Sequence, residues 1–239
     1  MVLTPSSLYK LLLGHFGTQK WWPVDKAYHE KNDSDPRFEI MAGAILTQNT
    51  AWANVEKALN KLRLNNALTV QKIKEIKATE LKNMIQPSGF FNQKTQRLKI
   101  LSTYLYDNYT GNLEKFFYKE LNEIREELLN LSGIGPETAD SILLYAGDLP
   151  IFVVDAYTKR ICKRLPLTTR GDTYDAIQRH FEKNLHRNFT EDEVVSIFKE
   201  LHALIVVLAK TYCKKRPACD CCPLHKYCAF TKQLIEQSF

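Results

Sequence analysis

At 239 residues, with 44% apolar and 25% charged residues and a net charge of +6, the chain has the composition of an ordinary globular protein, built as one large domain or two small lobes. No apolar run approaches the roughly 20 residues that span a bilayer, and the leucine patch Leu11 to Leu13, between Lys10 and His15, is too short for a secretory core. A soluble cytoplasmic protein with no membrane partner is expected, and its basic balance permits a nucleic-acid partner without demonstrating one.

Helical periodicity runs through most of the chain. Phe38, Met41, Ala42, Ile45 and Leu46 recur at helical spacing, followed by Val55, Leu59 and Leu62 and then by Leu98, Leu101 and Leu105. Ile124, Leu128 and Leu129 mark a charged amphipathic helix. The segment Leu131-Ser-Gly-Ile-Gly-Pro-Glu-Thr-Ala-Asp140 follows it, and Ile142, Leu143, Tyr145 and Ala146 continue as an apolar helix. Gly133 and Gly135, on either side of one apolar residue, allow a tight hairpin between helices with Ile134 pinned in the core. Pro136 suits the first helical position, where its missing N–H costs nothing, and the open amides of that helix start can hold a phosphate. A plain helix–helix turn is the simpler reading of the same residues.

Ile151-Phe-Val-Val154 has the composition of a strand, but no second strand pairs with it, so it is read as core beside a helix that Asp155 caps from Ala156 onward. Tyr174, Ile177 and Phe181 form a further stripe. Thr190-Glu-Asp-Glu193 is a capping box opening a helix that buries Val194, Ile197, Phe198, Leu201, Ile205 and Leu208. The expected fold class is all-α.

Five of the six cysteines fall between residues 213 and 228, and Cys213, Cys219, Cys222 and Cys228 are spaced C-x5-C-x2-C-x5-C with Cys221 inside the set. Four thiolates this close can wrap one soft metal centre, either tetrahedral zinc or an iron–sulfur cluster. A disulfide framework is the competing reading; the adjacent Cys221–Cys222 pair and the lack of a secretory core argue for a reducing compartment.

Hairpin, aspartate and cysteine cage in this order resemble the helix-hairpin-helix DNA glycosylases of the endonuclease III superfamily, over about residues 36 to 228. The hairpin matches that family's hairpin, Val153-Val-Asp155 its catalytic-aspartate segment, and the four cysteines its [4Fe-4S] loop, with one residue fewer between the first pair. Gly43-Ala-Ile-Leu-Thr-Gln-Asn-Thr50, Pro87-Ser-Gly-Phe-Phe-Asn-Gln-Lys94 and Trp21-Trp22-Pro23 are most similar to the bacterial endonuclease III-type 3-methyladenine glycosylases. Members of that group of the Helicobacter type lack the cysteine cage, so this chain departs from them.

The resemblance implies a two-lobed helical fold. Residues 36–150 would form a helical barrel lobe containing the hairpin at about 121–147, and residues 1–35 with 151–239 a cluster-bearing lobe with the cysteine loop 213–228, with DNA in the cleft between. It also implies a [4Fe-4S] cluster on the four cysteines, with zinc the alternative. The partner would be double-stranded DNA carrying a damaged base, met by a monomer associated with the nucleoid. Asp155 would stabilise the oxocarbenium-like sugar of N-glycosidic hydrolysis and orient the attacking water.

In the family's bifunctional members a lysine nucleophile stands eighteen positions before the aspartate; here that place holds Glu137, which cannot form a Schiff base. Glu137 is a pocket candidate, or simply an acid favoured in a helix's first turn. Trp21, Trp22 and Trp52 are candidates to stack on an extruded, electron-poor base. Gln48 matches the residue that fills the vacated stack. Phe90 matches the wedge entering the opposite strand, with Phe91 the other choice. Gly133 and Gly135 of the hairpin, and Lys214, Lys215 and Arg216 of the cysteine loop, would meet phosphates. The activity implied is a monofunctional glycosylase for alkylated purines. The alternatives are an endonuclease III-like or mismatch-adenine glycosylase, or a non-catalytic cluster-bearing DNA-binding module.

Overall fold

A computed structural model describes residues 3–165, 167 and 171–231. The helices in chain order are α1 (Pro5–Phe16), α2 (Lys26–Asn32), α3 (Pro36–Leu46), α4 (Trp52–Leu64), α5 (Val70–Glu75), α6 (Ala78–Ile85), α7 (Phe91–Tyr109), α8 (Leu113–Phe117), α9 (Leu121–Leu129), α10 (Pro136–Tyr145), α11 (Ala156–Arg164), α12 (Tyr174–Asn188) and α13 (Glu191–Thr211). Short 3-10 turns cover Gln86–Ser88 and His225–Tyr227. The described residues contain no strand, as the all-α expectation requires.

Several helices begin where the sequence supplies caps. Asp35 accepts from the Arg37 N–H with Pro36 at the first helical position of α3. Thr69, Asn112 and Thr173 cap α5, α8 and α12 through their side-chain oxygens. The expected box at Thr190 is present, with Glu193 Oε2 accepting from the Thr190 N–H at 3.0 Å and from its hydroxyl at 2.8 Å. Of the expected stripes, Leu98, Leu101 and Leu105 of α7 and Val194, Ile197, Phe198, Leu201, Ile205 and Leu208 of α13 are all buried.

The chain divides into two compact units, one of Met1–Trp21 with Pro150–Phe239 and one of Trp22–Leu149. In the first, α1 packs on α12 and α13, and α11 packs on the same two helices. In the second, α3 contacts α4, α7 and α10, while α6 bridges α4 and α7. Residues 22–35 fall with the second unit because α2 is tied there through a buried acid. Glu39 of α3 is fully buried, meets His29 Nε2 at 2.8 Å and also accepts from Arg63 of α4, while His29 Nδ1 lies 2.8 Å from Ser34 Oγ. A buried carboxylate without such partners would be strongly unfavourable.

Candidate functional site

In the first unit the run Ile151–Val154 is buried, with no strand partner among the described residues. Its backbone is held by side chains instead: the Phe152 N–H donates to Glu182 at 2.9 Å and its carbonyl accepts from Gln178 at 2.7 Å. The Phe152 ring stacks on Phe181 at 4.6 Å and meets Phe198 edge-on at 5.6 Å. This anchored run delivers Asp155 to the N-cap of α11, with φ −85° and ψ −179°.

Asp155 Oδ1 accepts two bonds from Thr158, from the N–H at 2.7 Å and the hydroxyl at 2.8 Å. Oδ2 lies 3.7 Å from His202 Nε2, and the two side chains are only 13% and 11% exposed. Burial alone pushes the Asp155 pKa up, but His202 and the two Thr158 donors outweigh it and hold the carboxyl below the usual aspartate value. The group is therefore an ionised carboxylate in a largely water-excluded place. Such a group can stabilise a positive charge developing beside it and orient a water molecule. Nothing local in the sequence announced His202, which sits on the buried face of α13. The available signal was a titratable residue inside the apolar run Leu201 to Leu208. Cys162, further along α11, has its thiol pushed up to about 12, by burial first and then by the Asp155 charge, and is an inert group at neutral pH.

The cysteine loop follows α13 in the same unit. The Cys222 N–H donates to the Cys219 carbonyl, the His225 N–H to that of Cys222, and the Cys228 N–H to that of His225. The Cys222 thiol is pushed up by burial first, with Cys213, Cys228 and Cys219 adding to the rise. Cys221 is exposed. Among the described residues no three His, Cys, Asp or Glu side chains are grouped tightly enough for one metal ion. All six cysteines are free thiols, and thiolate sulfur is the donor type that suits a soft metal centre. Arg164 of α11 holds the loop by donating to Cys213 Sγ at 3.3 Å and to the Lys214 and Lys215 carbonyls at 2.7 and 3.2 Å. Lys214, Lys215 and Arg216 themselves are exposed.

The second unit carries the hairpin between α9 and α10. Gly133 has φ +87°, Ile134 is buried, and Gly135 is the N-cap of α10 with Pro136 at the first helical position. The two helices are clamped by Arg125 Nε on Asp140 Oδ1 at 2.7 Å and Arg125 Nη2 on Oδ2 at 3.2 Å, with the aspartate fully buried. Glu137 is exposed in the first turn of α10, and its carbonyl accepts from Ser141.

Gln48 lies in the turn after α3, beside Asn49 at φ +53°. Its Nε2 donates to the Gly133 carbonyl at 3.1 Å and to Thr138 Oγ1 at 2.9 Å, and its Oε1 accepts from Arg97 of α7. A Cβ on Gly133 would fall 2.4 Å from Arg97 Nε, so a larger residue would have to displace Arg97 as well as adopt a positive φ. Phe90 is the N-cap of α7 with φ +46° and is 61% exposed, whereas Phe91 is half-buried; of the two, Phe90 is the one presented outward. The non-glycine positive φ costs roughly 1–2 kcal/mol, which the surrounding fold must hold in place. Lys94, four residues on, is fully buried, with a pKa lowered to about 8 by burial and then by the Arg97 charge.

Trp22 and Trp52 meet edge-to-face at 5.4 Å, and Tyr145 of α10 meets Trp22 at 5.4 Å. The Trp22 indole lies against Gly43 of α3, where a Cβ would stand 2.8 Å from Cζ2. Tyr145 joins the aromatic group through tertiary packing, which its place in an apolar helix did not reveal. Trp21 ends the N-terminal segment of the first unit.

Comparison with known proteins places these features in a family context. The family model of the HhH-GPD superfamily base excision DNA repair proteins matches residues 42–187. A Methanocaldococcus jannaschii protein, whose name assigns it provisionally to the DNA repair glycosylases, is 44% identical over 223 residues, covering 92% of this chain and 94% of its own. Endonuclease III of Thermotoga maritima is 28% identical over 202 residues, covering 84% of this chain and 86% of its own. The crystal structure of H. pylori 3-methyladenine DNA glycosylase bound to 1,N6-ethenoadenine superposes with a TM-score of 0.70 at 27% identity, covering 87% of this chain and 98% of that one. A non-covalent endonuclease III–DNA complex shares the fold at a TM-score of 0.73 and 22% identity, covering 98% of this chain and 100% of that one.

Proposed function

Since this chain belongs to the HhH-GPD superfamily of base excision DNA repair proteins, we propose that it is a monofunctional DNA glycosylase that hydrolyses the N-glycosidic bond of an alkylated purine in duplex DNA. The observation that carries the hydrolytic half is the ionised, doubly hydrogen-bonded Asp155, with exposed Glu137 in the position where the resemblance puts a lyase lysine. The Asp155 carboxylate stabilises the cationic sugar as the base departs and orients the water that attacks C1′. His202 and Thr158 keep it deprotonated and fixed in direction. Without an amine at the position of Glu137, no Schiff base forms there and the strand is left intact at an abasic site.

The substrate class rests on the aromatic group of Trp22, Trp52 and Tyr145. An alkylated purine is electron-poor or cationic and stacks on electron-rich rings by quadrupole attraction. It is also a good leaving group, so one carboxylate suffices. The H. pylori 3-methyladenine enzyme, solved with an ethenoadenine, supports the same class. Trp21 and Glu137 are assigned to the pocket margin, while Gln48, Phe90, Gly133, Gly135, Lys214, Lys215 and Arg216 are assigned to the DNA.

Cys213, Cys219, Cys222 and Cys228 would hold a [4Fe-4S] cluster, which when bound would supply a rigid support for the loop. The resemblance of the spacing supports that assignment over zinc, and Arg164 holds the loop that carries the cysteines. The protein works as a monomer on double-stranded DNA.

The direct experiment incubates the protein with duplexes bearing single methylated, etheno or oxidised bases and identifies each base set free. Release of alkylated purines is expected. Strand breaks should appear only after hot alkali, and borohydride should trap no covalent adduct. Release of oxidised pyrimidines alone, or an adduct through any lysine, would turn the assignment toward an endonuclease III-like activity.

A further inference from the structure

A lysine near the start of an amphipathic helix is ordinarily solvated, yet Lys94 of α7 has no exposed surface. Its ammonium has three protons and meets three acceptors, each at 2.7 Å: the Leu46 carbonyl at the end of α3, Thr50 Oγ1, and the Ser88 carbonyl in the 3-10 turn before α7. Thr50 Oγ1 in turn donates to that same Ser88 carbonyl. The Lys94 N–H donates to the Phe90 carbonyl. One residue therefore closes both the segment carrying Gln48 and the segment carrying Phe90. Three residues further along the same helix, Arg97 donates to Gln48 Oε1 and lies against Gly133 of the hairpin. Gln48 completes the circuit through its bonds to Gly133 and Thr138.

A purely stabilising core position would be filled more cheaply by an apolar side chain, because a buried charge carries a desolvation cost that its partners at best repay. What a fully satisfied polar junction does supply is one defined arrangement of the segments that meet there. We infer that Lys94 and Arg97 are positioning residues that make the first turns of α7 a common anchor, so that the Gln48 turn, Phe90 and the hairpin engage DNA as one rigid element. The role lies in the opening of the duplex, when the stack is filled and wedged. This inference rests on the reading above that Gln48 and Phe90 enter the duplex.

The test measures affinity for a duplex containing a tetrahydrofuran abasic-site analogue, which needs filling and wedging, and for the same duplex undamaged, which needs only phosphate contacts. 2-Aminopurine beside the analogue reports unstacking. The unsubstituted protein should prefer the analogue and raise the 2-aminopurine fluorescence. Lys94→Met is expected to keep affinity for the undamaged duplex within about twofold, to lower the preference for the analogue about tenfold or more, and to lose most of the fluorescence rise. Should Lys94→Met fail to fold, Thr50→Val removes one acceptor while keeping the lysine, and the same loss of preference is expected. A variant that keeps the full preference, or that loses both affinities in parallel, overturns the coupling. If the unsubstituted protein itself shows no preference and no unstacking, the entry of Gln48 and Phe90 into the duplex fails, and the coupling falls with it.

Discussion

Gly133→Ala offers a quantitative probe of how the hairpin is built. At φ +87° an alanine meets the left-handed penalty of roughly 1–2 kcal/mol. Its Cβ would also stand 2.4–2.8 Å from Arg97 Nε, Cγ and Cδ. Overpacking costs about 1–3 kcal/mol, and the lower end applies because the obstructing atoms belong to a long side chain that can swing aside. The sum is about 2–3 kcal/mol, and at roughly 2–4 °C of melting temperature per kcal/mol for a chain of this size the midpoint should fall by about 4–12 °C. Displaced Arg97 also surrenders its bond to Gln48. Removing the obstruction with Arg97→Ala in the same chain should recover the steric part, about 1 kcal/mol, and leave the backbone part behind. Thermal denaturation followed by circular dichroism reads both variants. A Gly133→Ala protein melting within a degree of the parent, or complete recovery in the double variant, would refute this division of the cost.

Further outcomes follow from the same geometry. Gly43→Ala should push Trp22 out of its seat, shifting tryptophan emission and narrowing the range of bases released, since a Cβ there stands 2.8 Å from the indole; an unchanged spectrum and base profile would count against Trp22 as a pocket wall. Asp140→Asn breaks a clamp whose acid is fully buried and whose Arg125 is 24% exposed, and should cost about 2–3 kcal/mol, below the roughly 3–5 kcal/mol of a completely buried pair; urea denaturation measures it. The Asp155 pKa is depressed in the folded state, so its contribution to stability is fully present above the ordinary value of 3.8 and is lost as pH falls through the lower folded value. The stability gap between the parent and Asp155→Asn should therefore close only below that ordinary value, and a gap already closed at pH 5 would contradict the depressed pKa.

What the sequence disclosed was whatever local chemistry writes down. The Thr190–Glu193 box, the α7 and α13 stripes, the Gly133-Ile134-Gly135 turn and the Asp155 cap are all set by residues within one or two turns of each other, and each is found as expected. Which of Phe90 and Phe91 is exposed was open because both are large and apolar; Phe90 is the exposed one, at a positive φ that is a property of the loop. His202, Tyr145 and the burial of Lys94 were invisible for a different reason. Each is created by segments remote in sequence that meet only in the folded unit: α13 against the cap of α11, α10 against Trp22, and the ends of α3 and the 3-10 turn around one ammonium. Residues 22–35 likewise join the second unit through His29, Glu39 and Arg63, a buried network with no sequence signature.

The decisive measurement is single-turnover base release by Asp155→Asn beside its affinity for undamaged duplex. Asparagine can still accept the Thr158 bonds and cap α11, but it carries no charge to oppose the cationic sugar. Base release should drop by about a hundred- to a thousandfold, on the scale of removing a main electrostatic stabiliser, while duplex affinity stays within about twofold. Release at the parent rate by the amide variant would remove Asp155 from the chemistry and with it the proposed mechanism.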